Sequence, residues 1–172
     1  FASAMPDPLL PLILGLCIRR SLLNFGLSVS LKWPNDLIYH DQKMGGVLLE
    51  EKNSIILAGI GINLSFAPQE HLMRQQRALP AGHLEYDPEA LDVPAFWARL
   101  LVWIYFWYAE IMCNYSLIDF IHEIKSNLWL IDQEAVLETP NETYRGVVAG
   151  ISEEGSLLMH TLQGTRKFDS GS

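Results

Sequence analysis

The sequence predicts an α+β fold, with a mixed β-sheet packed with helices over residues 1–132 and a small β-barrel over residues 133–172. Three observations carry this. Short runs rich in strand formers crowd residues 27–65, two segments of helical period follow an aperiodic break, and the tail from Glu134 is a series of short apolar runs between turn signals. With 172 residues, 49% of them hydrophobic, the chain can bury a sizeable core.

Along the chain, Pro6, Pro8 and Pro11 close an opening strand-like stretch. LLPLILGLCIRRSLLNFG then has helical apolar spacing that stops at Gly26, which predicts a helix over about residues 10–24. LSVSLKW, GGVLLEE and SIILAGIGINLS read as three strands, two of them joined by a hairpin near Asp41 to Lys43. Residues 67–92 lose periodicity and read as a loop. From Pro94 the pattern is helical through about Met112, and Ser116 caps a further helix, LIDFIHEIKSNLW. The uncharged stretch between Arg99 and Glu110 is far shorter than the roughly 20 residues a bilayer demands, so no membrane span is expected. Trp97, Trp103, Phe106 and Trp107 are then expected in the core or at a subunit interface, with a homodimer possible. EAVLETP, YRGVVAGIS, GSLLMHTL and TRKFDSG supply four barrel strands, and the boundary falls between Ile131 and Glu134.

Composition removes several classes of function. Twelve basic against 20 acidic residues give a formal charge of -8, which repels phosphate backbones and argues against nucleic acid. The two cysteines and five histidines show no metal-ligand spacing, so no metal site is expected. Cys17 and Cys113, far apart, read as buried thiols of a cytoplasmic protein, and the sequons at Asn63, Asn114 and Asn141 then count as chance matches. The opening FASAMPDPLL has the character of neither a signal peptide nor a natural N-terminus, so the sequence is expected to be a piece of something longer.

The chemistry concentrates in LKWPNDLIYHDQKMGGVLLE, residues 31–50, and in GIGIN, residues 59–63. Gly45 and Gly46 lack a Cβ, so a ligand can press against bare backbone there, and Gly59 and Gly61 allow the same. Lys43 is a compact ammonium able to offset negative charge growing on a carboxylate or phosphate. Asn35 and Asn63 each offer a donor and an acceptor suited to the edge of a heterocycle. Singly, each has an ordinary reading: NDL as a turn, Lys43 as a solvated lysine, and GIGINL as a run lacking the third glycine of a dinucleotide fingerprint.

In the order KWPND (Lys32 to Asp36), KMGGVLLE (Lys43 to Glu50) and GIGIN (Gly59 to Asn63), these residues resemble the hallmark strands of the biotin protein ligases. The resemblance extends over most of the chain, the tail standing where that family carries an SH3-like barrel. It implies a class II synthetase-like biotin/lipoate ligase fold, N-terminally truncated. It also implies a two-step reaction: biotin and ATP, with Mg2+, form biotinyl-5′-adenylate, and the biotinyl group passes to a lysine of a biotin carboxyl carrier protein. By the same resemblance Lys43 touches the reacting carboxylate and α-phosphate, Gly46 and Leu48 wall the biotin site, Gly61 floors it, and Asn35 and Asn63 line the adenylate pocket. Lys32, Trp33, Pro34 and Asp36 support the motif's geometry. The family's glycine- and arginine-rich loop, an N-terminal helix-turn-helix and the aromatic over adenine, sought among residues 74–86, have no counterpart in the sequence as it stands. The alternative to an enzyme fragment is therefore a non-catalytic, ligase-like binding or dimerisation module. A lipoate-attaching relative would not be expected to carry KWPND together with GGVLLE.

Overall fold

The computed structural model describes residues 7–53, 55–67, 79–85, 92–139 and 142–171. The opening stretch, most of the 67–92 loop and the segment 74–78 lie outside the described residues. A single 3₁₀ turn, Asp7–Leu9, leads into α1 (Leu10–Leu23), with Pro11 in its first turn and Gly26 in the left-handed region just past its end. One face of α1 is wholly buried through Leu12, Ile13, Leu16, Cys17 and Ile18.

Four strands follow as a meander: β1 (Ser30–Lys32), β2 (Asp36–Tyr39), β3 (Gln42–Lys52) and β4 (Ile55–Ile62), hydrogen-bonded in that order. The sequence pattern predicts three strands here, and β2 is the addition. DLIY, only four residues long, falls outside the predicted strands, yet Leu37 and Ile38 are both buried. The β2–β3 hairpin turns through His40 and Asp41, both at positive φ, beside the predicted position. All four strands pair antiparallel, so the sheet is antiparallel and not mixed; isolated parallel bridges, Leu31 with Leu128 and Lys43 with Ala81, only touch its margins.

Two helices, α2 (Val93–Asn114) and α3 (Leu117–Asn127), complete the first layer. Asp92 caps α2, and Ser116 with Asp119 forms a reciprocal capping box on α3. The three helices meet at Arg20 of α1, whose Nε donates to Glu123 Oε1 at 2.8 Å while its guanidinium lies over Trp107 and Tyr115. The aromatics of α2 divide. Phe96 is buried and Trp97 and Trp107 pack on the core, whereas Trp103, Tyr105 and Phe106 are exposed, so of the two expectations, core or subunit interface, Trp103 and Phe106 do not meet the first. The cysteines divide too. Both are free, but only Cys17 is buried, its thiol pushed up to about 12 by desolvation, while Cys113 is exposed, against the expectation of two buried thiols.

The tail forms a second antiparallel sheet of β5 (Glu134–Glu138), β6 (Thr143–Ile151), β7 (Leu157–Thr161) and β8 (Gly164–Phe168), in sequence order. Leu137, Val148, Ile151, Leu157, Met159 and Phe168 form its inner face. The two sheets are joined in two places. The connecting backbone pairs with both, Trp129 N–H donating to Leu31 O at 2.7 Å and Asp132 N–H to Val148 O at 2.9 Å. The buried Trp33 Nε1 donates to the Gly155 carbonyl at 2.9 Å, in a turn so close to Pro8 that a Cβ at residue 155 would lie 3.0 Å from its carbonyl oxygen.

Trp33→Phe keeps most of the packing but strands the Gly155 carbonyl, a buried acceptor without a donor. Urea denaturation should show a loss of about 1–3 kcal/mol. A variant as stable as the parent would mean that this bond does not tie the tail to the first sheet.

Candidate functional site

The register of β2 on β3 decides where the side chains point. Leu37 lies opposite Gly45, while Ile38 lies opposite Lys43, so Met44 is an extra residue in β3, a β-bulge. Beyond the bulge, strict alternation sends Gly45, Val47 and Leu49 toward the helices and Gly46, Leu48 and Glu50 to the other face. Without the bulge, Lys43 would follow Gly45 and Val47 inward. With it, Met44 takes the inner position, fully buried, and Lys43 emerges on the open face with 44% of its side chain exposed.

On that face Lys43 Nζ lies 2.5 Å from Asp36 Oδ1, and Lys32 Nζ lies 3.6 Å from the other oxygen, Oδ2. Asp36 is therefore shared by two ammonium groups while itself only 13% exposed. A paired ammonium in a half-sheltered site is held ready for a further anion at little reorganisation cost. The surface beside it is nearly bare. Gly46 faces Gly61 across the β3–β4 ladder and Leu48 faces Gly59, so one leucine stands among three glycines, and Leu48, Gly59 and Gly61 are exposed.

The glycines do different jobs. A Cβ on Gly45 would overlap the Gly61 carbonyl oxygen, and one on Gly46 would lie 3.0 Å from the Asn35 carbonyl oxygen, so both are needed by neighbouring backbone. Gly61 has nothing within 4 Å and is the open floor. The protein's own backbone thus already makes a close approach at Gly45 and Gly46.

Asn35 and Asn63 each spend one amide N–H on backbone. Asn35 Nδ2 donates to Val47 O at 2.7 Å and Asn63 Nδ2 to Gly82 O at 2.8 Å. The second bond anchors a strap the sequence pattern missed. Lys43 N–H donates to Pro80 O and Gly82 N–H returns to Lys43 O, both at 2.9 Å, so residues 80–82 grip the backbone of the lysine itself. Only PAG, three turn-forming residues within an aperiodic stretch, marks it in the sequence. Trp33, next to Pro34, is buried. Next to Lys32, the seam between the sheets holds an apolar cleft of about 70 Å³, bounded by Trp33, Leu128, Trp129, Leu137 and Met159. Substrate pockets usually measure about 300–1,000 Å³, so this cleft is a packing seam. No group of three or more His, Cys, Asp or Glu able to hold a metal occurs among the described residues.

Two family models match: the biotin/lipoate A/B protein ligase family over residues 21–66, and the biotin protein ligase C terminal domain over residues 130–172. A biotin–[acetyl-CoA-carboxylase] ligase from Paracoccus denitrificans is 28% identical over 149 residues, covering 76% of this chain and 56% of that protein. The crystal structure of a biotin protein ligase from Aquifex aeolicus superposes with a TM-score of 0.77 at 27% identity, covering 95% of this chain and 72% of that one. The same protein in complex with biotin and ATP gives 0.75 at 27%, covering 96% and 70%. The chain spans about half the length of the curated relatives it matches.

Paired alanine variants separate the two kinds of glycine. Gly45→Ala must displace the β4 backbone and should cost about 1–3 kcal/mol in urea denaturation. Gly61→Ala, pointing into open space, should stay within ~0.5 kcal/mol of the parent. Equal losses would contradict the assignment of Gly61 to an open floor.

Proposed function

We propose, from the premise that this chain belongs to the biotin protein ligase family, that the open face of its first sheet carries the ligase chemistry. The observation that carries the reading is the bulge-placed Lys43, paired to Asp36 at the edge of a glycine floor. In the first step a biotin carboxylate oxygen attacks the α-phosphorus of ATP, the bond to the bridging oxygen breaks, and pyrophosphate leaves with the electron pair. Lys43 Nζ offsets the charge gathering between carboxylate and α-phosphate, and Asp36 holds it in place beforehand. In the second step a lysine amine of a biotin carboxyl carrier protein attacks the acyl carbon of biotinyl-5′-adenylate, loses a proton, and displaces AMP.

Biotin lies along Gly46, Leu48 and Gly61 in this reading, where exposed leucine and bare backbone suit its apolar ring system. Asn35 and Asn63, each with one amide N–H committed to backbone, offer the second N–H and the side-chain carbonyl oxygen toward the adenylate. Mg2+ accompanies ATP as part of the substrate. The carboxylate beside Lys43 is already shared by two lysines and does not suit a metal. Residues 1–132 form the catalytic part and 133–172 an SH3-like domain that engages the carrier protein. The two free thiols agree with a reducing compartment, the cytoplasm.

Lys43→Ala should lower single-turnover adenylation by about a hundredfold to a thousandfold, the usual effect of losing one such contact, about 3–4 kcal/mol. Its melting temperature should barely change, because a half-exposed lysine contributes little packing. Lys43→Arg should rescue in part, since a planar guanidinium cannot act as a compact point charge. Near-normal adenylation by the alanine variant would return Lys43 to the status of a surface lysine.

A further inference from the structure

The tip of the β2–β3 hairpin, just before Lys43, is fastened by a side chain 88 positions away: Trp129 Nε1 donates to Asp41 Oδ1 at 3.0 Å. The backbone N–H of the same tryptophan donates to Leu31 O at 2.7 Å. Trp129 thus grips β1 with its backbone and the hairpin tip with its ring. The connector it belongs to is held in turn by the second sheet, through Asp132 N–H to Val148 O at 2.9 Å and Val148 N–H to Gln133 O at 3.0 Å. Both turns joined by the Trp129–Asp41 bond are unusual in backbone. Among the described residues, the non-glycine positions at positive φ are His40, Asp41, Asn53, Leu130 and Asp132, and four of these five flank this bond. A bulky residue such as leucine rarely enters the left-handed region, and a hairpin turn with both central residues at positive φ ordinarily takes Asn-Gly, not His-Asp. Such turns persist where surrounding contacts over-determine them, and they concentrate near functional groups.

The bond acts on the stretch that presents Lys43. A bulge bends its strand and breaks the ladder locally. Beyond Met44 only two rungs remain, Ile38 with Lys43 and Tyr39 with Gln42, so the direction of this short end depends on what holds its tip. Lys43 Nζ must stay within reach of Asp36 Oδ1, 2.5 Å away, and a misplacement of about 1 Å in a reacting group can cost roughly a hundredfold in rate. Little stability is at stake by comparison. Asp41 is exposed, so water can solvate both partners when the bond is lost.

We propose that Asp41 and Trp129 are positioning residues for Lys43: their bond fixes the tilt of the hairpin, so the connector to the second sheet sets the reach of the ammonium. This rests on the role given to Lys43 above. Nitrogen-relaxation NMR of the lysine ammonium groups in the 172-residue chain tests it without requiring turnover. Trp129→Phe and Asp41→Gly should each mobilise the Lys43 ammonium and leave that of Lys167, paired with Glu154, unchanged. Asp41→Asn, which keeps the acceptor oxygen, should hold Lys43 as the parent does, whereas glycine suits the turn but offers no acceptor. The double variant Asp41→Gly/Trp129→Phe should be no more mobile than either single, as expected of one shared bond. All should melt close to the parent. Single-turnover adenylation should fall about tenfold in Trp129→Phe, with the KM for biotin and ATP little changed, and not at all when the same change is made in a Lys43→Ala background. An unchanged Lys43 ammonium in Trp129→Phe and Asp41→Gly, or an Asp41→Asn variant as mobile as Asp41→Gly, would overturn the pair while leaving the role of Lys43 intact. That role falls separately, on near-normal adenylation by Lys43→Ala.

Discussion

One extra residue in β3 determines which face of the sheet Lys43 occupies. Strand alternation is rigid, so a lysine two positions before Gly45 is committed to the helix side unless the register breaks. The bulge at Met44 breaks it, and one shift does two things: it drives a fully buried methionine into the core and turns an ammonium outward beside Asp36. Burial of Met44 contributes about 1.5–3 kcal/mol, which helps hold the bulge in place. The strap at residues 80–82 satisfies both backbone groups of Lys43 where they leave the β3–β4 ladder, and Asn63 fastens the strap.

The rest of the site follows from this placement. KWPND alternates between support and chemistry. Trp33 is buried against the turn of the second sheet, Asn35 ties its loop to β3, and Asp36 reaches the open face between two lysines. A disturbance of the tail therefore has a short path to Asp36 through the bond from Trp33 to Gly155. The glycines divide along the same lines. Gly45 and Gly46 let backbones pass, and Gly61 leaves the surface bare.

Much of this was legible in the sequence. The helices α1, α2 and α3, the hairpin turn and the four tail strands all rest on local signals: apolar period, caps and turn residues. Lys43, Gly46, Leu48 and Gly61 do converge on one face, and Asp36 joins them. The bulge was not legible, because two consecutive residues pointing to non-alternating faces leave no trace in a pattern of residue types. β2 was missed because four residues carry too little period. The amide bonds of Asn35 and Asn63 were invisible because their backbone partners are distant in sequence. The exposure of Trp103 and Phe106 escaped for another reason: composition reports that a helix is apolar, while only packing reports which half is covered.

Cysteine accessibility tests the bulge most directly. In a Cys113→Ala background, where the remaining Cys17 is buried with its thiol pushed up to about 12, single cysteines at positions 43, 44, 47 and 48 are treated with a water-soluble thiol reagent. The bulge predicts rapid labelling at 43 and 48 and protection at 44 and 47. Protection at 43 with rapid labelling at 44 would mean an unbroken strand with Lys43 turned inward, and the site built on it would not exist.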